Sequence, residues 1–230
     1  MCKTRKKLMV FCLVVLVFNI SLSFVNASYI SPHAYAKQHN QSQNNCGGFF
    51  STPNGQSNLF SNWSSSHNNS WITNEMWTPF NGGNEWIETG DVCGAINGAY
   101  WSGHFVAVQK YNSSTKQYEY SEYTVGSSYP TGTHNFEVQY VGNNKWESYV
   151  DYNKTMSFSF NYTSSFDHCV GIESNDSDNY FTSGSYDSAL QWKDSNNAWH
   201  NWTSATNGDS NSYNWVSSYS SSTNRITFTR

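Results

Sequence analysis

Charge is scarce in this chain. Asp, Glu, Lys and Arg make up 12% of its 230 residues, with 12 basic and 16 acidic side chains. Acidic side chains outnumber basic ones, so neither a nucleic-acid backbone nor an anionic membrane surface is expected as a partner. Ala, Leu, Glu and Lys, the strong helix formers, are sparse, which removes a helical bundle from consideration. Cysteine is limited to five residues, and their spacings fit no zinc pattern. No Gly-x-Ser-x-Gly elbow is present to hold a serine nucleophile. Beyond the N-terminus no run is apolar enough to span a bilayer.

Aromatic residues are abundant, at 17%. Ser, Asn, Thr and Tyr fill the polar positions. Aromatic and β-branched residues suit strands, whereas Asn, Ser and Gly suit turns. Disordered chains lack this many Trp, Tyr and Phe. The composition therefore predicts a folded all-β protein.

The first residues have the pattern of an export signal. Lys3, Arg5, Lys6 and Lys7 form a basic start, Leu8 to Phe18 an apolar stretch, and Ala34-Tyr35-Ala36 a small-residue pattern for cleavage after Ala36. Val25-Asn26-Ala27 offers an alternative site after Ala27. Cleavage after Ala36 leaves about 194 residues with a net charge of −8, because the leader removes four basic residues and no acidic one. That length suits one domain. The expected protein is secreted and extracellular, with no membrane attachment after cleavage, and monomeric. Residues 37–70, rich in Gln, Asn and Ser, read as a flexible polar lead-in with a short strand near Phe49-Phe50, and residues 71–230 as one β-sandwich domain.

From Trp71 the chain reads strand, turn, strand. In Trp71-Ile72-Thr73-Asn74-Glu75-Met76-Trp77, alternation places Trp71, Thr73, Glu75 and Trp77 on one face. Asn97-Gly98 and Gly142-Asn143-Asn144 are hairpin-type turns. Phe136, Val138 and Tyr140 alternate with Glu137 and Gln139, and His168 to Ser174 forms a late strand. Tyr186 to Lys193 fits a short helix or a strand. Turns recur every eight to fifteen residues or so, the rhythm of an antiparallel two-sheet sandwich of jelly-roll, concanavalin-like type.

Two of these strands carry a carboxylate in apolar surroundings: Trp86-Ile87-Glu88-Thr89-Gly90 and Val170-Gly171-Ile172-Glu173-Ser174. A half-buried carboxylate is costly unless it is paired, hydrogen-bonded or used. Glu88 shares a face with Trp86 and Gly90, and Glu173 with Cys169 and Gly171, the glycines leaving room for a ligand. If the two strands are antiparallel neighbours and Cys93 bonds Cys169, Glu173 lies opposite Thr89, beside Glu88. A β-bulge near Gly90-Asp91 would then be needed to bring both acids to one face. Export permits such a disulfide, although the third cysteine of the exported chain, Cys46, is left over. Two converging carboxylates share a proton, so one can serve as general base on a water while the other donates to a developing oxyanion, best at acid pH.

The order of these segments resembles the glutamic peptidases of the eqolisin and neprosin type. Glu88-Thr89-Gly90 matches the first acid, small residue and Gly of their pattern, and Glu173 in Gly171-Ile172-Glu173 matches the second acid by position. The likeness covers roughly residues 71–175 and lacks the family's longer signature around the second Glu. It implies a secreted jelly-roll hydrolase with a Glu88/Glu173 dyad and Trp86 as a wall of the cleft.

An alternative remains open, a non-catalytic glycan- or protein-binding module using the same face. Aromatic rings cover the C–H faces of sugars while amides bond their hydroxyls. Trp77, Trp86, Trp101 and Tyr120 are the candidate substrate-binding residues, for a protein or polysaccharide outside the cell. A structural exoprotein without a site is a third possibility. His104, His134 and His168 each begin a strand without zinc-ligand spacing, and Asp176-Ser177-Asp178 reads as a solvated turn. No metal and no cofactor are expected.

Overall fold

The computed structural model describes residues 33–39, 47–52, 59–127, 132–165, 167–209 and 213–230. Strands numbered along the chain form two large antiparallel sheets. The seven-stranded sheet runs, edge to edge, β15 (Thr206–Asp209), β1 (His33–His39), β11 (Asp167–Ser174), β4 (Trp71–Phe80), β5 (Glu85–Ile96), β6 (Ala99–Asn112) and β7 (Gln117–Val125). The eight-stranded sheet runs β10 (Asn153–Ser159), β9 (Lys145–Val150), β8 (His134–Gly142), β2 (Gly47–Thr52), β13 (Tyr186–Lys193), β17 (Arg225–Thr229) and β16 (Val216–Ser220), with β14 (Trp199–Asn201) also paired to β13. A small ribbon joins β3 (Leu59–Phe60) to β12 (Tyr180–Phe181). Among the described residues the only helical turn is a 3-10 turn at Asn81–Gly83, and no helix is long and apolar enough to cross a membrane. This is the all-β two-sheet sandwich expected from the composition, and Tyr186–Lys193 resolves as a strand.

Local sequence fixes the hairpins. Asn97 and Gly98 both have positive φ (49° and 75°), as do Asn143 and Asn144 (52° and 58°). Two consecutive left-handed residues give the turn whose twist matches that of paired strands, and Asn and Gly tolerate it best. The strands then close on a core from both sheets. Ile72, Met76, Phe80, Ile87, Val170 and Ile172 of one sheet meet Phe136, Val138, Trp146, Leu190, Ile226 and Phe228 of the other. Trp146, Trp202 and Trp215 are fully buried, each worth on the order of 4–6 kcal/mol of burial before entropy is counted.

Three features bear on the expectations from the sequence. First, Ala34 and Ala36 are buried in β1, which is hydrogen-bonded to β11 on one side and β15 on the other, so cleavage after Ala36 would cut through a paired strand. Second, the polar segment 37–70 is not simply a flexible lead-in. It supplies the end of β1, all of β2 (around the expected Phe49-Phe50) and β3. Residues 1–32, which include most of the leader, and Cys46 lie outside the described residues.

Third, β5 and β11 are not neighbours. β4 lies between them and pairs with both. Cys93 is level with Ile72 and points into the core, whereas Cys169 is level with Trp77 and packs with Trp77 and Trp86 on the opposite face. Five residues along β4 amount to about 17 Å, far beyond the roughly 7 Å between Cα atoms that a disulfide spans. Neither cysteine is in a disulfide, and both are buried. The β4–β5 register runs without a shift from Trp71↔Gly94 to Phe80↔Glu85, so no bulge is present there.

Candidate active site

β4 is the centre of the site. Its inward residues, Ile72, Met76 and Phe80, belong to the core, so Thr73, Glu75 and Trp77 stand on the outer face of the seven-stranded sheet. Register carries this face across the neighbours. Trp77 lies opposite Glu88 on β5 and Cys169 on β11, Glu75 opposite Gly90 and Gly171, and Thr73 opposite Val92 and Glu173. Glu88, Glu75 and Glu173 therefore form a diagonal across three adjacent strands on one face. Each step joins diagonal neighbours, Cα atoms roughly 7–8 Å apart, within reach of glutamate side chains leaning together.

The two predicted acids do share a face, and a third carboxyl, Glu75, stands between them. The alternation of β4 had placed Glu75 on the Trp71–Trp77 face, but a single chain gives no sign that β4 separates β5 from β11. Both cross-strand partners of Glu75 are glycines, so no neighbouring side chain crowds its carboxyl. A Cβ at Gly90 would overlap the Asn74 carbonyl and come within 2.6 Å of the Glu75 Cα. At Gly171 it would overlap the Ala34 carbonyl and come within 2.6 Å of the Tyr35 Cα. The strands close up at this level because these positions lack side chains.

Burial sets the electrostatics. Glu75 is 1% exposed and Glu88 7%, while Glu173 is half-buried and the most accessible of the three. Burial pushes the Glu75 carboxyl well above the usual carboxylate range, and the charges of Glu88 and Glu173 push it further. The Glu75 carboxyl faces the Glu173 carboxyl, with the Thr73 hydroxyl opposing the upward shift. Two ionised carboxylates only accept hydrogen bonds, so their contact becomes favourable when one of them holds a proton. Burial likewise raises Glu88, with the Glu173 charge next in weight, while the indole N–H groups of Trp86 and Trp77 oppose the shift.

Trp77 and Trp86 are buried and pack with Cys169 against Tyr35, forming one wall. Tyr35 was hidden from sequence reasoning by its place in the expected cleavage motif. It lies opposite Gly171 and Gly208, and its ring occupies the space a side chain at position 208 would need. Tyr120 on β7 is 42% exposed, level with Trp86 through Gln109. Its hydroxyl donates to Glu122 at 3.3 Å and lies in the field of Glu88, Glu75 and Glu173. Trp101 is on the same outer face at the opposite end. Its indole N–H donates to the His104 carbonyl at 3.1 Å, and its ring lies over Gly103, so it packs locally with Val92 and Phe105.

No family model matches this sequence, and no curated protein is similar to it in sequence. In structure the chain is similar to scytalido-glutamic peptidase, solved with a peptide-based transition-state analogue. The TM-score is 0.54 at 12% identity, over 87% of this chain and 98% of that one. A second structure of that peptidase, with a transition-state analogue inhibitor, gives a TM-score of 0.55 at the same identity and coverage. A member of the eqolisin family bound to the tripeptide Ala-Ile-His gives 0.50 at 14% identity, again over 87% and 98%. At these identities the likeness is one of fold: a two-sheet jelly-roll sandwich like that of the glutamic peptidases.

Proposed function

We propose that this protein is an exported peptidase that works at acid pH with the carboxyls of Glu173 and Glu88. The diagonal Glu88–Glu75–Glu173 on one sheet face is the observation that supports it. Glu173, the most accessible of the three, acts as general base. It takes a proton from a water as the water oxygen bonds to the scissile carbonyl carbon. Glu88, held protonated by burial, donates to the carbonyl oxygen as negative charge develops there. The proton taken by Glu173 then passes to the amide nitrogen, the C–N bond breaks as one hydroxyl of the intermediate returns its proton to Glu88, and the acid and amine depart. Glu75 is too buried to touch substrate. It is a positioning residue whose retained proton is donated to Glu173, orienting that carboxyl. Trp77, Trp86 and Tyr120 border the substrate.

Cleavage of a denatured protein substrate is expected below neutral pH, resistant to chelators and to pepstatin-type inhibitors. Glu173→Gln and Glu88→Gln are each expected to lower kcat at least 100-fold, the low end of what general acid–base catalysis contributes. Glu75→Gln should shift the pH profile with a smaller loss in kcat. Activity unchanged in Glu173→Gln, or none at any pH between 2 and 6 in the wild type, would remove this reading.

A second reading has its own observation. A cleft of about 680 Å³ is lined by Tyr111, Tyr118, Asn81, Asn112, Lys110 and Asn161, among others. The Tyr111 and Tyr118 rings meet edge-on at 5.3 Å, and both are about 40% exposed. Aromatic faces rimmed by amides suit a non-catalytic glycan-binding module. Retention on an insoluble polysaccharide that is lost in Tyr118→Ala, with no cleavage, would favour it. In either reading the protein is exported and acts as a monomer outside the cell, with cleavage after Ala27, which spares β1.

A further inference from the structure

Opposite the carboxyl diagonal, on the inner face of the seven-stranded sheet, lies a cluster that the acid chemistry does not use. His104 of β6 is 6% exposed and packs edge-on against the ring of His134 at 4.6 Å, across the gap between the two sheets. His134 begins β8, and its Nδ1 is 2.9 Å from Oδ2 of Asp151, which follows β9. One ligand-type atom from each of His104, His134 and Asp151 falls within 4.8 Å of the others.

Two further observations concern how the ligands are held. His104 Nδ1 is 2.6 Å from Oδ1 of Asp91, a carboxylate of β5 that is itself fully buried. With Nδ1 so engaged, the ring presents Nε2 as its metal-binding atom. A carboxylate behind an imidazole is the usual arrangement that orients a metal-ligating histidine and raises its basicity. Asp151 is fixed as well. Its Oδ1 accepts from the Asn135 backbone N–H at 3.1 Å, and its own N–H donates to the Asn135 carbonyl at 2.9 Å, leaving Oδ2 directed at His134.

We infer that His104, His134 and Asp151 bind a divalent transition-metal ion of the zinc class, with Asp91 positioning His104, and that the ion staples the two sheets. Two imidazoles and one carboxylate are a borderline ligand set that suits zinc over calcium or magnesium. Ligand atoms at about 2.0–2.1 Å from a tetrahedral ion stand about 3.4 Å apart. The Nδ1–Oδ2 pair at 2.9 Å lies below that value and the 4.8 Å limit on the set lies above it. Water completes the fourth position. His104 and His134 are thirty residues apart in sequence, so no spacing motif could reveal the site. The site lies on the face of the sheet opposite Glu75, so it is structural and stands independently of the peptidase reading.

The test uses the full exported chain, stripped with EDTA and titrated with zinc chloride by calorimetry near neutral pH, alongside thermal melts. One equivalent of Zn²⁺ is expected to bind with a Kd in the micromolar range or below. At about 100 times Kd the melting temperature should rise by several degrees, as mass action on the folded state requires. Calcium and magnesium should produce neither heat nor shift. Asp151→Asn, at a half-exposed position where folding is not in question, should weaken zinc binding at least tenfold. Asp91→Asn should weaken it by roughly 10- to 100-fold although it is not a ligand. Absence of binding to the wild type at about 100 µM zinc would overturn the inference. So would binding that survives unchanged in both Asp151→Asn and His134→Ala, which would place the ion elsewhere, for example at His200 and Asp194.

Discussion

His168 provides a sharp test of how burial governs this fold. It lies on β11 on the core face with Val170 and Ile172, level with Gln38 of β1, is fully buried, and neither ring nitrogen has a hydrogen-bond partner. Burial holds its pKa down to about 4 from an ordinary 6.5, with the nearby Asp167 charge opposing weakly. The ring is therefore neutral in the folded protein down to about pH 4. The unfolded chain takes up a proton below pH 6.5 and the folded chain does not, so stability is fully present above 6.5 and drains away as pH falls towards 4. At about 1.4 kcal/mol per unit this removes roughly 2 kcal/mol by pH 5 and roughly 3 kcal/mol by pH 4. His168→Leu keeps a similar volume and removes the titrating group. Near pH 7.5 it should change stability by about 1 kcal/mol or less, because loss of two unpartnered nitrogens offsets imperfect packing. Urea unfolding followed by tryptophan fluorescence at pH 7.5, 6 and 5 measures the difference between variant and wild type. That difference should grow in favour of the variant by about 2 kcal/mol between pH 7.5 and 5. A difference that stays flat would mean that His168 is protonated in the folded state or reached by water, and the reasoning from burial would fail.

Other expectations follow from the same structure. Asp187 is fully buried, with Oδ1 accepting from Asn74 Nδ2 at 2.8 Å and Oδ2 unpartnered, and burial holds its pKa well above normal, with the Asp91 charge adding to it. A raised acid contributes stability that is present below its unfolded pKa and lost as pH rises, so Asp187→Asn should stabilise the protein more at pH 8 than at pH 4.5, by on the order of 1 kcal/mol or more, read from melts at the two pH values. Gly90→Ala would push β5 away from β4 beside Glu75, costing about 1–3 kcal/mol in urea unfolding and lowering kcat more than it changes KM. Intact-mass analysis of the secreted protein should find an N-terminus at Ser28. A start at Lys37 would leave only the last three residues of β1, Lys37 to His39, in the mature chain.

The sequence by itself determined the class and the faces. Sparse charge and helix formers, abundant aromatics and Asn-Gly or Asn-Asn turns left an antiparallel sandwich, because strands and their turns are encoded by neighbours in the chain. The two-residue alternation placed Glu75 with Trp77, and Glu88 with Trp86, on single faces, since side-chain direction in a strand depends only on local backbone geometry. Tertiary structure decided which strands touch. That β4 separates β5 from β11 turned an expected adjacent pair into a diagonal of three acids and carried Cys93 and Cys169 to opposite faces. It also drew the stretch around Ala36 into a paired strand. The meeting of His104, His134 and Asp151 likewise came only from stacking one sheet on the other. Strand order and sheet stacking are set by the summed burial of many distant side chains, and no short stretch of sequence contains that sum.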